Sequence, residues 1–270
     1  MKQLKDRYRY SIILLRQLVK TDFKLRYQGS ALGYIWSLLR PFLLFVTLYF
    51  VFTIFIRLGK GVPHYPVYLL VGIILWNYFA EVTGGSIGAI VGRGDLIRKI
   101  NFPKYVIILS GSASALINLS LNAVVVAIFM VFNHMSVNLS DLYILPLILE
   151  LTILSIAVAF LLSTLYVRFR DVNYIWEVIM QAAFYATPIL YPVSEISNKS
   201  LKVAKALMLN PMAQIIQDIR HVLVTPSSTT ISEIFGNEWI RLVPIGISIL
   251  ILILSSIYFR KRSKSFAEEA

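Results

Sequence analysis

Charge is distributed along this chain in a way that limits its folding: residues 105–132 and 242–259 contain no Asp, Glu, Lys or Arg, while eight Lys and Arg crowd into the first 26 residues. Stretches of that length find no stable exposed state in water, and in lipid a backbone must satisfy its own polar groups, which leaves helices or a closed barrel. A spanning helix needs roughly 20 mainly apolar residues to cross about 30 Å of hydrocarbon. Of the 270 residues 57% are hydrophobic and only 15% charged, and the mean hydropathy is +0.72, so spans separated by short solvated connections account for most of the chain. The expected fold class is therefore all-α and polytopic, with six transmembrane helices at 32–56, 65–91, 104–132, 142–167, 173–191 and 242–259.

The net charge of +12 does not signify nucleic acid, because a nucleic-acid binder gathers its basic residues on a soluble fold and this chain has no room for one. Anionic lipid and the retention of basic loops in the cytoplasm explain it better. With the N-terminus, the second and fourth connections and the C-terminal tail inside, 18 basic residues face the cytoplasm and seven face out. Both termini are thus expected in the cytoplasm, with 260–270 as a cytoplasmic tail. The first residues are too charged for a secretory signal peptide and are expected in the mature chain.

Residues 1–30 place Leu14, Leu18 and Leu25 on one helical face with Arg16, Lys20 and Lys24 opposite, the pattern of a helix lying in the membrane interface or of a plain basic anchor. Residues 192–240 are expected outside, yet Leu201, Ala204 and Met208, then Met212, Ile215, Ile216, Ile219 and Leu223, repeat at helical spacing on either side of Asn210-Pro211. Two short helices dipping into the outer leaflet or packing over a pathway fit these re-entrant segments. No repeat relates the two halves of the chain, which argues against an inverted-repeat secondary transporter.

The second cytoplasmic connection, 93–103, carries Arg93, Asp95, Arg98, Lys99 and Pro103 together with Leu96, Ile97, Ile100 and Phe102. The four apolar residues form a stripe with no evident partner within the chain, suited to a cytoplasmic protein or to the lipid surface. Gly84, Gly88 and Gly92 recur every four residues, a row that lets a neighbouring helix approach. In the first span Tyr34, Phe42, Phe45, Tyr49 and Phe52 share one helical face, an aromatic wall that either meets lipid or borders a conduit. Arg40, Glu81, Glu150 and Glu177 fall within spans, where each ionised side chain is costly and marks a site.

Absences narrow the function. There is no cysteine, hence no disulfide, thiolate nucleophile or Cys-based metal site. No G-x-x-x-x-G-K-[ST] occurs, so the chain has no fuel site of its own. The three histidines lie in or near external connections without H-E-x-x-H or an Asp-rich cluster, so a membrane enzyme has no visible catalytic set.

The order of several short motifs resembles one family: Lys24-Leu25-Arg26-Tyr27, Leu32-Gly33-Tyr34-Ile35-Trp36, Arg40-Pro41, Asn101-Phe102-Pro103, Phe169-Arg170-Asp171, Tyr185-Ala186-Thr187-Pro188-Ile189-Leu190-Tyr191-Pro192 and Leu209-Asn210-Pro211. Over nearly its whole length the chain resembles the membrane subunits of type-2 ABC exporters of O-antigen, capsule and teichoic-acid polysaccharides. The resemblance implies a single permease domain over 1–270 in the bacterial cytoplasmic membrane. It implies a homodimer joined to two copies of a cytoplasmic ABC ATPase, which carries the ATP and Mg while this chain binds no cofactor. It implies a polyprenyl-pyrophosphate-linked glycan as cargo, Arg26 and Arg40 at the pyrophosphate, an aromatic conduit wall that Tyr185 joins, coupling through 93–103, and a gate formed by the two outer helices. Exporters of drugs or other lipids share this architecture, and an ion-coupled secondary transporter is the rival of another class.

Overall fold

The computed structural model describes residues 2–27, 33, 35–55, 61–100, 102–136 and 138–269, and among them every regular element is helical. The helices are α1 (Lys2–Tyr27), α2 (Ile35–Tyr49), α3 (Tyr65–Ile87), α4 (Gly94–Lys99), α5 (Tyr105–Phe132), α6 (Ile144–Arg168), α7 (Val172–Ala186), α8 (Val193–Lys199), α9 (Leu201–Met208), α10 (Pro211–Leu223), α11 (Ile231–Phe235), α12 (Leu242–Arg262) and α13 (Phe266–Glu269). A π-helical turn, Phe50–Phe55, extends α2, a local unwinding of the kind often found at functional sites.

Among the described residues, four segments are long and apolar enough to cross a membrane: Tyr65–Ile87, Tyr105–Phe132, Asp141–Arg168 and Glu238–Arg262. The first expected span is shorter, with its apolar part at Leu38–Phe52. The fifth is a helix of 15 residues, about 22 Å at 1.5 Å per residue, continued by the non-helical segment around Thr187–Pro188. α3 is the central post: its side chains from Tyr65 to Val82 are largely buried, and α2, α5, α6, α7 and α10 pack around it. That burial explains why its sequence lacks a polar face. α12 lies along α6 and leaves Leu250, Leu254 and Ile257 exposed, the surface a spanning helix offers to lipid.

The remaining helices collect at two opposite ends. At one end α13 packs on α4, Lys104 Nζ donates to the Ser263 carbonyl, and Arg93 pairs with Asp22 of α1. At the other, Tyr65 Oη donates to the Leu190 carbonyl over 2.7 Å, and α8, α9 and α11 enclose a small core of Val193, Ala204, Met208, Ile231 and Ile234. Local signals start these short helices: Asn210 accepts from the Met212 N–H at 3.0 Å ahead of Pro211, and Thr230 with Glu233 forms a capping box.

Candidate functional site

An open groove of about 1080 Å³ runs between α2, α3 and α5. α2 contributes Trp36, Arg40, Leu43, Leu44 and Thr47, which share a face because three- and four-residue steps return to the same side of a helix. α3 supplies Asn77, Ala80, Glu81, Gly84 and Gly85, and α5 supplies Asn118 and Asn122. Glu81 Oε1 accepts from Asn118 Nδ2 at 2.8 Å, and Asn122 Nδ2 donates to the Asn118 carbonyl at 2.8 Å. A polar band at the depth of the spans results, with a guanidinium, a carboxylate and three amides on one wall system, able to exchange hydrogen bonds with a polar solute.

The structure places the expected site residues unevenly. Arg40 is exposed and borders the groove. The aromatic row takes another role: Phe45, 4% exposed, meets Phe129 of α5 edge to face at 5.3 Å, with Phe42 and Tyr49 at 6.2 and 5.8 Å from Phe45. These rings seat α2 on α5, and Phe45 keeps no free surface within the chain. Phe52 is partly buried against the same core, whereas Phe42 and Tyr185 stay exposed. Tyr34 and the side chain of Arg26 lie outside the described residues.

Gly84 also departs from expectation. A Cβ built there or on Gly85 or Gly92 meets nothing within 4 Å, and at Gly88 only Tyr166 at 4.0 Å. Among the described residues no neighbouring helix uses the glycine row for close approach; its first member borders the groove instead.

The stripe on 93–103 is likewise corrected. Ile97 and Phe102 are buried in the chain's own core, Leu96 packs against it, and Phe266 of α13 is buried with them. The apolar residues were expected to lack an internal partner because α13 is remote in sequence. What faces out is Asp95, Arg98, Lys99 and Ile100, with Arg98 pairing to Asp95 at 3.1 Å, while Arg93 is tied to α1 and Pro103 is half-buried.

Sequence reasoning missed a third set, on α10. Every residue from Pro211 to Arg220 is buried, so the polar side of an apparently amphipathic helix faces protein. Arg220 Nε donates to the Tyr68 carbonyl at 2.9 Å, Nη1 to Pro188 and Nη2 to Ile189 at 2.6 Å each, and the guanidinium stacks 3.6 Å from the Tyr68 ring centroid. A Cβ on Gly72 would collide with it. The signal available in the sequence was an Asp and an Arg within a run otherwise suited to burial.

The chain matches the ABC-2 type transporter family over residues 13–224. It is 28% identical over 266 residues to the O-antigen export system permease protein RfbA of Myxococcus xanthus, covering 98% of each chain. It is 31% identical over 216 residues to a Klebsiella pneumoniae protein of the same name, covering 80% of this chain and 82% of that one. A second Klebsiella pneumoniae RfbA is 29% identical over 260 residues, 96% and 95% of the two chains.

Proposed function

The chain belongs to the ABC-2 type transporter family, and from that premise we propose that it is the transport subunit of an exporter that moves a polyprenyl-pyrophosphate-linked glycan of the O-antigen class across the bacterial cytoplasmic membrane. The carrying observation is likeness along essentially the whole chain to permeases of O-antigen export. A separate cytoplasmic ATPase, two copies on a homodimer of this chain, drives the cycle and holds ATP and Mg. Six passes put both termini in the cytoplasm.

In this reading two copies of the α2–α3–α5 groove face one another as the conduit. Arg40 meets the pyrophosphate, aided by Arg26, since a guanidinium offers phosphate two parallel donors. Exposed Phe42 and Tyr185 give ring faces on which sugars stack, with Phe45 seating Phe42 beside Tyr49 and Phe52. The face of 93–103 with Asp95, Arg98, Lys99 and Ile100 docks on the ATPase, and α8 to α11 close the far end. α7, which buries no residue, supplies dimer surface.

The test is reconstitution. The chain is purified with its partner ABC ATPase and placed in proteoliposomes carrying a lipid-linked glycan. ATP-dependent appearance of glycan in the opposite leaflet, and loss of surface glycan on gene deletion, support the proposal. Intact surface glycan after deletion, with export of another lipid in vesicles, overturns it.

A further inference from the structure

α6 and α12 run side by side and part near α10 around a cleft of about 400 Å³. Its outer walls are apolar: Tyr143, Leu149 and Ile249 line it while largely exposed, on the side of the molecule that meets lipid. Its inner end is polar and buried, formed by Glu150 of α6 with Gln214 and Asp218 of α10. Asp218 Oδ2 accepts from Gln214 Nε2 at 2.7 Å. Glu150 Oε1, Gln214 Oε1 and Asp218 Oδ1 have no hydrogen-bond donor among the described residues.

Three buried acceptors without donors, two of them on carboxylates, are expensive in a membrane protein, and each such atom calls for an explanation. Burial pushes the Asp218 carboxyl above its ordinary range, as expected where the ionised form lacks a sufficient counter-charge. A group that donates hydrogen bonds and carries positive charge answers both deficits. A primary ammonium has three N–H donors, as many as there are orphan oxygens.

The mouth carries one fixed cation, Arg241, whose Nη1 lies 3.6 Å from Glu238 Oε2, and the neutral-or-charged His221, whose Nδ1 lies 3.9 Å from Glu233 Oε1. Arg241 and His221 line it, their side chains 37% and 31% exposed, with Arg241 Nε 4.0 Å from Asp218 Oδ2. His221 Nδ1 lies 2.9 Å from the Ser228 carbonyl. A guanidinium at the mouth, acids within and exposed apolar walls are the complement of a zwitterion with acyl chains.

We propose that this cleft binds an aminophospholipid, its ammonium on Glu150, Gln214 and Asp218 and its phosphate at Arg241. The acyl chains lie along the exposed apolar seam between α6 and α12. The bound lipid braces α10 against both spans. Occupancy therefore stabilises the folded protein by mass action.

The experiment titrates the purified full chain in detergent with phosphatidylethanolamine, with phosphatidylcholine and phosphatidylglycerol of the same acyl chains, and with soluble phosphoethanolamine. Adducts are read by native mass spectrometry and stability by thermal melting. Phosphatidylethanolamine should bind at least tenfold more tightly than phosphatidylcholine, whose trimethylated nitrogen has no N–H, and should raise the melting temperature. The soluble headgroup should not bind. The Glu150→Gln, Asp218→Asn double variant should lose the preference. Should that variant misfold, Ile249→Trp, which fills the cleft from its exposed wall and leaves the acids alone, should abolish the adduct. Equal binding of the three lipids, wild-type binding by Ile249→Trp, or binding of soluble phosphoethanolamine as tightly as the lipid overturns the assignment.

Discussion

Arg220 shows how one side chain joins distant parts of the sequence. Its three nitrogens serve the carbonyls of Tyr68, Pro188 and Ile189, so it fastens α10 both to the start of α3 and to the segment between α7 and α8. A lysine keeps the charge but has a compact ammonium instead of a planar fork. Arg220→Lys should therefore leave at least one buried carbonyl unserved, at roughly 1–3 kcal/mol for each, read as a lower thermal midpoint in detergent. Gly72→Ala attacks the same contact from the other side, because its methyl would displace the guanidinium. Combined with Arg220→Lys it should cost less than the sum of the two, since both remove one interaction. Strict additivity would show that the two residues act independently.

At the scale of elements, α4 and α3 divide between what the sequence disclosed and what it did not. The apolar spacing of 93–103 was legible, but its use was not: hydrophobic periodicity says that a face is buried, not by what, and the cover for Ile97 and Phe102 is packing around Phe266, more than 150 residues away. The same limit applies to α2, whose aromatic face was legible and whose contact with Phe129 was not, and to α10, whose polar side is buried as fully as its apolar side. The long apolar runs that became α3, α5, α6 and α12 were read nearly to their ends, because lipid dictates length and composition without regard to partners. Two expectations follow. Ile97→Asp should unfold or destabilise the chain, whereas Arg98→Glu with Lys99→Glu should leave it folded and reduce export and ATPase co-purification several-fold. If the charge-reversed chain retains its ATPase and its export, α4 does not dock there. On α3, Gly84→Leu places a side chain in open groove space and improves helix propensity. It should keep or raise the thermal midpoint while lowering glycan export at matched protein level; unchanged export would put the cargo path elsewhere.

The whole molecule has two distinct ends, and this turns topology into a single testable arrangement. Basic residues favour one assignment by 18 to seven, and the rule is strongest for short connections such as 93–103 and weak for a long one such as 192–240. The structure adds a constraint independent of charge. α4 and α13 pack together, so the second connection and the C-terminal tail share an end, while α8 to α11 gather at the opposite end beside the starts of α3 and α12. Labelling sites must therefore sort by end, and they must be accessible: Ser228 is 5% exposed and unsuited, but Ser194, Ser227 and Lys264 are exposed. Single cysteines at these three positions should be introduced into the chain, which has no cysteine of its own. A membrane-impermeant maleimide should label the first two in intact cells whose outer surface is open to the reagent, and Lys264→Cys only after permeabilisation. The inverse pattern would keep the two-ended fold and reverse its insertion. Labelling Ser194→Cys and Ser227→Cys from different sides would break the packing of α8 to α11 into one cap, because a single span between them would have to cross the membrane where α9 and α10 are too short to do so: at eight and 13 residues they reach about 12 and 20 Å against roughly 30 Å of hydrocarbon.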